Sequence, residues 1–440
     1  MFSRESADPR YLATSVAADE PRAVLVGRET LAAGGSAADA AAAMGLAMAA
    51  TLPARVGVGG GGVCVVHDPA RKTVRTLDFL PRAAGPGATA AVPGLLRGLD
   101  ALQAGHGTLR WAQVAAPAEV LARSNRAVSR AAALDFGDFE PVLTADAEAR
   151  RVFVQPLGHP PDESEPLAQA DLAALLSQVR QSGSASFYNG PLGARVAEAA
   201  GIPLQAMRGY QATWRGTRDV RSGNETLVFP DLPEGQPAAA AWQAAMAAPG
   251  AGALAGLQAL GALPAATPPT ASLVVFDGQG MSVACGFSMG GPFGTGRMVP
   301  GTGLMLAAPA AGAGIAGPLV VANRNIERGR LLAVGTIGLP DEGPAAPYAA
   351  LLATATAALD RDASAREAVA VARIAPAAGG GALVERGVPQ PVAASLGPAA
   401  RQVPTIGRAN IVDCKVREDG GRSCRAATDP RAFGLALTAD

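Results

Sequence analysis

Residues 267–296 read TPPTASLVVFDGQGMSVACGFSMGGPFGTG, and this stretch decides the fold. Pro268 and Pro269 cannot donate to a β-ladder, so they set a boundary directly before the β-branched and apolar run Ser272 to Phe276. Asp277, Gly278, Gln279 and Gly280 supply turn chemistry, and Met281 to Phe287 reads as the returning strand. Thr270 therefore stands at the mouth of a buried hairpin. A hydroxyl in that position is where a threonine nucleophile would sit.

Composition narrows the classes of partner. The chain has 440 residues, enough for several domains or for one large layered fold. Its 37 basic and 37 acidic residues cancel, which argues against nucleic acid or an anionic membrane as the main partner. The abundance of Ala and Gly, with Lys72 and Lys415 as the lysines, reads as base composition rather than chemistry. Met1 to Arg22 has scattered charges and no apolar segment, so the sequence as it stands reads as cytoplasmic, or as periplasmic if a leader is missing. The uncharged stretches 237–266 and 301–322 are interrupted by Pro249, Pro264, Pro309 and Pro318, and they read as buried soluble segments.

The cysteines and histidines give weaker signals. Cys64 and Cys285 lie in apolar strands and read as buried thiols. A three-residue loop at Glu418, Asp419 and Gly420 would place Cys414 opposite Cys424, either as a cross-strand disulfide in an oxidising compartment or as two unconnected thiols. His67, His106 and His159 lack metal-ligand spacing and read as surface or structural residues. No Ser-His-Asp triad pattern is read, and the G-x-S-x-G spacing at 286–290 falls at the returning strand rather than at a strand-to-helix nucleophile elbow. The glycine cluster Gly57 to Gly62 lacks a following Lys-Ser/Thr pair, so it reads as close backbone packing or a pocket wall rather than a phosphate cradle.

Along the chain, Ala23 to Val26 reads as a short strand, and Ser36 as the N-cap of an alanine-rich helix over 37–50. A hairpin spans 63–79, and helices are expected within 95–134, over 168–182 and over 192–200. Nothing in this middle region looks chemical. Leu304 to Ala307 and Leu331 to Val334 read as strands, Tyr348 to Leu359 and Ser364 to Arg373 as helices, and Ile411 to Arg425 as a cysteine hairpin. Hairpins mixed with apolar helices, without a βαβ repeat, predict an α+β layered sandwich.

Several collinear runs then resemble the γ-glutamyltranspeptidase family of N-terminal-nucleophile hydrolases. They are AAGGSAADAAAAMGLAMA (32–49), LPARVGVGGGG (52–62), AVPGLLRGL (91–99), HGTLRWAQVAAPAEVLA (106–122) and SASFYNGPLGARVAE (184–198). TASLVVFDGQG (270–280), FGTG (293–296), SAREAVAVARI (364–374) and ATDPRAFGLAL (427–437) continue the series. The resemblance implies a four-layer αββα sandwich, made as a precursor that cuts itself between Pro269 and Thr270. On that reading residues 1–22 form an N-terminal tail, 23–269 correspond to the large subunit and 270–440 to the small one, the two fragments staying associated in one sandwich. A freed threonine α-amino group, with pKa about 7.7–8.0, can take the hydroxyl proton at neutral pH. Ser288 matches a second hydroxyl that supports the nucleophile, and Gly338 with Leu339 matches the backbone pair of the oxyanion hole.

The departures concern recognition. The family's anchors for the γ-glutamyl zwitterion fall on Leu80, Gly290, Gly312, Val320 and Val321, none of which carries a charge or hydroxyl. Of these, Gly290 is retained here as a substrate-contacting position. Arg82, two residues beyond Leu80, would replace the missing arginine through a change of register. The expected protein is an autoprocessing threonine amidohydrolase or acyltransferase with altered γ-glutamyl recognition, acting on a small amide without metal or other cofactor. The alternative is a non-catalytic homologue that keeps the sandwich as a binding module, and ordinary γ-glutamyl transfer from glutathione ranks third.

Overall fold

The computed structural model describes residues 13–439 except 125–126, 234, 248–255, 258–259, 261–262, 264–267, 310–313, 324–327, 378–379 and 417–421. Thirteen of its strands build two facing sheets. In chain order these are β1 (Thr14–Ala18), β2 (Gly61–Asp68), β3 (Thr73–Phe79), β4 (Thr213–Arg215), β5 (Thr217–Ser222), β6 (Glu225–Pro230), β7 (Thr270–Phe276) and β8 (Ser282–Ser288). The rest are β9 (Ile315–Asn323), β10 (Arg328–Thr336), β11 (Arg408–Val416), β12 (Arg422–Thr428) and β13 (Leu435–Ala439). The first sheet has the order β13-β1-β7-β8-β2-β3-β4, and the second β12-β11-β10-β9-β6-β5.

Side-chain alternation explains the layers. Along β7, Ala271, Leu273 and Val275 face one cluster, whereas Val274 and Phe276 join Val63, Val65, Ala284, Val320 and Val334 between the sheets. The outer face of the first sheet is covered by α1 (Pro21–Ala32), α2 (Ala37–Thr51), α3 (Leu95–His106), α4 (Trp111–Ser124) and α5 (Arg130–Asp138), among others. The second sheet is covered by α6 (Gln236–Ala247) and α7 (Ala346–Asp360). The result is the α+β, four-layer αββα sandwich. Helix α2 is buried at every position, and it starts with a capping box in which Ser36 and Asp39 satisfy each other's backbone amides. No helix among the described residues is long and apolar enough to cross a membrane.

Four expectations change. Residues 14–18, expected in a tail, form an interior strand between β13 and β7, with Val16 opposite Val275 and Leu437. Ala23 to Val26 lies in helix α1 rather than a strand. Glu20 caps the helix by accepting from the Ala23 amide at 2.7 Å, Pro21 occupies its first turn, and Ala23, Val24, Val26, Gly27 and Thr30 form one buried face. Cys64 and Cys285 are not free thiols: they face each other across β2 and β8 and are joined as a disulfide. Cys414 and Cys424 are joined likewise across β11 and β12, while the 418–420 turn lies outside the described residues. The strand expected over Leu304 to Ala307 shrinks to Leu304–Met305, paired with Met298–Val299.

Candidate active site

Thr270 opens β7 at one end of the sandwich and is 1% exposed. Its hydroxyl donates to the Gly314 carbonyl at 2.7 Å and accepts the Ile337 N–H at 3.0 Å. Its own N–H donates to the Ile337 carbonyl at 3.2 Å. The peptide of Ile337, just past the end of β10, thus holds both the hydroxyl and the main-chain nitrogen of Thr270. Among the described residues, no carboxylate, imidazole or amine side chain is bonded to the hydroxyl.

Ser288 is the direct cross-strand partner of Thr270, and Gly61 lies opposite Ser288 on the next strand. The Ser288 hydroxyl accepts the Gly290 N–H at 3.0 Å rather than bonding to the Thr270 hydroxyl. Gly290 itself, at φ 74°, is pressed against Ala308, where an added Cβ would come within 2.5 Å of the carbonyl oxygen. Its position is therefore fixed by close backbone packing.

Gly338 follows Ile337 and is brought beside Thr270. Its N–H donates to Glu342 Oε2 at 2.8 Å, and its carbonyl accepts from Arg55 at 2.9 Å. Leu339 N-caps a short 3-10 turn over Pro340–Glu342, which returns Glu342 to the Gly338 amide. The amide expected from the sequence as an oxyanion donor is thus occupied by a carboxylate.

Arg82 is separate from this constellation. It forms an ion pair with Asp78, which also accepts from Arg215 at 2.9 Å. Leu80 and Asp78 lie on β3 or just beyond it, three strands from β7, on the order of 14 Å at ~4.8 Å per strand. Leu80, Val320 and Val321 are buried among apolar side chains, and Gly312 lies outside the described residues.

A polar frame behind Thr270 is not visible in the sequence and emerges only in the fold. Arg55, 1% exposed, donates to Asp135 at 2.7 and 2.6 Å and to the carbonyls of Thr270, Ile337 and Gly338 at 3.2, 2.9 and 2.9 Å. Burial opposes its charge, but Asp135, Asp19 and Glu342 hold its pKa above the ordinary value. Asp19, after β1, accepts the Ser272 N–H at 2.7 Å and meets Asn410 Nδ2 at 3.1 Å, and burial raises its pKa. Asp135 belongs to the middle region expected to carry no chemistry. It is buried in α5 between apolar neighbours, and its AAALDFGD context resembles any amphipathic helix.

The histidines take structural roles where their contacts are defined: His106 Nδ1 meets Asp68 Oδ2 at 2.9 Å, far from Thr270 in the sheet. His159, Asp162 and Glu165 bring one potential ligand atom each within 4.8 Å of one another on a loop. Asp162 is exposed and Glu165 accepts its backbone N–H, which explains the cluster without an ion.

A family profile described as Gamma-glutamyltranspeptidase matches residues 23–248. Glutathione hydrolase 7 of Bos taurus is 34% identical over 190 residues, covering 40% of this chain and 28% of the relative. The glutathione hydrolase proenzyme of Bacillus subtilis (strain 168) is 32% identical over 197 residues, covering 40% of this chain and 33% of the relative. The matched stretch thus spans about a third of these curated relatives. Over the whole chain the fold superposes on a cephalosporin acylase from Bacillus halodurans with a TM-score of 0.79, at 18% identity and 99% coverage of both chains. The collinear motifs, the αββα layers and the profile match over more than half of the sequence agree: the chain belongs to the γ-glutamyltranspeptidase family.

Proposed function

We propose that this protein is an autoprocessing threonine amidohydrolase or acyltransferase. On this reading it is cut between Pro269 and Thr270 and acts on a small amide whose acyl group is not the standard γ-glutamyl zwitterion. The observation that carries the reading is the placement of Thr270. It opens a strand at one end of the sandwich, with its hydroxyl and nitrogen both held by the Ile337 peptide and the Gly338 amide next to it.

The chemistry follows from these contacts. Cutting before Thr270 turns its peptide N–H into an amine that stays beside the Ile337 carbonyl, a few ångströms from the hydroxyl it must deprotonate. With a pKa about 7.7–8.0, that amine is partly neutral at pH 7 and can accept the proton as the hydroxyl oxygen attacks an amide carbon. The carbonyl oxygen of the substrate then needs donors, and the Gly338 and Leu339 amides are the candidates once Glu342 withdraws. Ser288, Gly61 and Gly290 line the same end of the sheet and keep the backbone close around the nucleophile. Leu80 and Val320 offer a γ-glutamyl α-carboxylate no charge-assisted bond, each of which is worth about 1.5–3 kcal/mol.

A non-catalytic module is the second reading. It is favoured by the fully satisfied Thr270 hydroxyl and the occupied Gly338 amide. Intact mass of the purified protein separates the two: fragments ending at Pro269 and starting at Thr270, absent in Thr270→Ala, are expected, and a chain that stays whole on incubation overturns the enzymatic reading. A chromogenic γ-glutamyl anilide tests recognition, with turnover expected to be weak. Strong Thr270-dependent turnover would show that the γ-glutamyl group is held without the usual anchors.

A further inference from the structure

Beside Arg55, which donates to the Thr270 carbonyl, a cavity of about 40 Å³ that opens to solvent is lined by Asp19, Arg55, Asp135, Asp138, Arg408 and Phe433, among others. It lies at the end of the sandwich where β1 ends, β11 begins and α5 passes. Arg55 and Asp135 form a closed pair within it, and Asp19 is engaged by Ser272 and Asn410. Asp138 is exposed at the rim.

Arg408 is different. Its Nε is buried without a hydrogen-bond partner, and among the described residues none pairs with its guanidinium. The group lies against Gly338, where an added Cβ would come within 2.8 Å of Nε and 3.0 Å of Cζ. A side chain at 338 would press on the arginine and displace it. Burial and the neighbouring Arg55 work against its charge, while Asp135, Asp19 and Glu342 favour it from nearby without a hydrogen bond, so a guanidinium that stays protonated keeps donors for a further anion.

We propose that Arg408 anchors a carboxylate group of a small ligand in this cavity, one residue from the peptide that holds Thr270. The two oxygens of a carboxylate match the guanidinium fork. The nearby Asp19 and Asp138 disfavour a doubly charged anion such as phosphate, so a single negative charge fits best. The subsite is distinct from the positions of the lost γ-glutamyl anchors, which lie at Leu80, Gly290 and Val320. Its use as an acyl or leaving-group subsite rests on Thr270 being the nucleophile; its capacity to bind does not.

The test is titration of wild type and of Thr270→Ala with butyrate, butyramide and inorganic phosphate, followed by calorimetry and by the arginine Nε–H signals of ¹⁵N-labelled protein. Butyrate is expected to bind both proteins and to move one arginine signal, with butyramide and phosphate at least tenfold weaker. Arg408→Gln should weaken butyrate at least tenfold and Arg408→Lys less. Equal binding of butyrate by Arg408→Gln, tight binding of phosphate, or no response of wild type up to roughly 10 mM butyrate overturns the assignment. If Arg408→Gln fails to fold, the wild-type arginine signal still decides. Loss of processing with butyrate binding intact would refute the catalytic reading alone.

Discussion

Glu342 Oε2 accepts the Gly338 N–H at 2.8 Å, while its Oε1 takes the Thr405 hydroxyl at 2.8 Å. The carboxylate thus bridges the turn after β10 to the segment before β11 and occupies the amide that an oxyanion would need. Its negative charge would also oppose a developing oxyanion there. Glu342→Ala is expected to free the amide, raising the rate of chain cutting or of acyl transfer by roughly tenfold, the scale of one oxyanion donor being larger still. The loss of two hydrogen bonds should lower stability by about 1–3 kcal/mol. Rates from intact-mass time courses and urea unfolding check both parts; a slower reaction would mean that Glu342 positions the turn instead of blocking it.

Arg55 is the brace of the same corner. Removing it leaves Asp135 charged and buried, and it strips partners from the carbonyls of Thr270, Ile337 and Gly338. Arg55→Ala should cost about 3–5 kcal/mol, as expected for a broken buried pair. The double variant Arg55→Met with Asp135→Leu should recover much of that stability, because it removes both charges together. It should not recover processing, since the three carbonyls remain unbraced. Denaturant midpoints and cutting rates of the three proteins separate stability from positioning.

The Cys64–Cys285 disulfide joins strands that fall on opposite sides of the Pro269–Thr270 bond. If the chain is cut, the two fragments should therefore migrate together on a denaturing gel without reductant and separate with it. Cys285→Ser should release them without reductant and lower the stability of the folded protein by about 2–4 kcal/mol. Separate fragments from oxidised wild type would show that these two thiols are not bonded in solution.

The hairpin around Thr270 was legible because its proline boundary, β-branched runs and turn lie within thirty consecutive residues. Strand β1 was not, since TSVAA carries little pattern of its own and is defined by Leu435–Ala439 and Thr270–Phe276, both far away in sequence. Ala23 to Val26 is apolar enough for either state; the Glu20 cap and Pro21 decide for helix, and these signals stand before the run rather than in it. The frame of Asp19, Arg55, Asp135, Glu342 and Arg408 was missed for a related reason. Each member sits alone in its own segment, and only the meeting of five segments at one end of the sandwich gives it meaning.

Glu20 offers a test by pH. Its side chain caps α1 from a fully buried position, and burial raises its pKa above the ordinary 4.5, with the Ala23 N–H offsetting part of the effect. A raised carboxyl pKa means that the folded state binds the proton more tightly than the unfolded chain does. The associated stability is fully present below about pH 4.5 and is lost as pH rises through the folded value. Glu20→Gln keeps an acceptor for the Ala23 amide but cannot ionise, so its melting temperature should fall less than that of wild type as pH is raised from 4.5. Thermal unfolding followed by circular dichroism across that range measures the difference. Parallel curves for the two proteins would mean that Glu20 is ionised in the folded state at no net cost, with the cap fully balancing its burial.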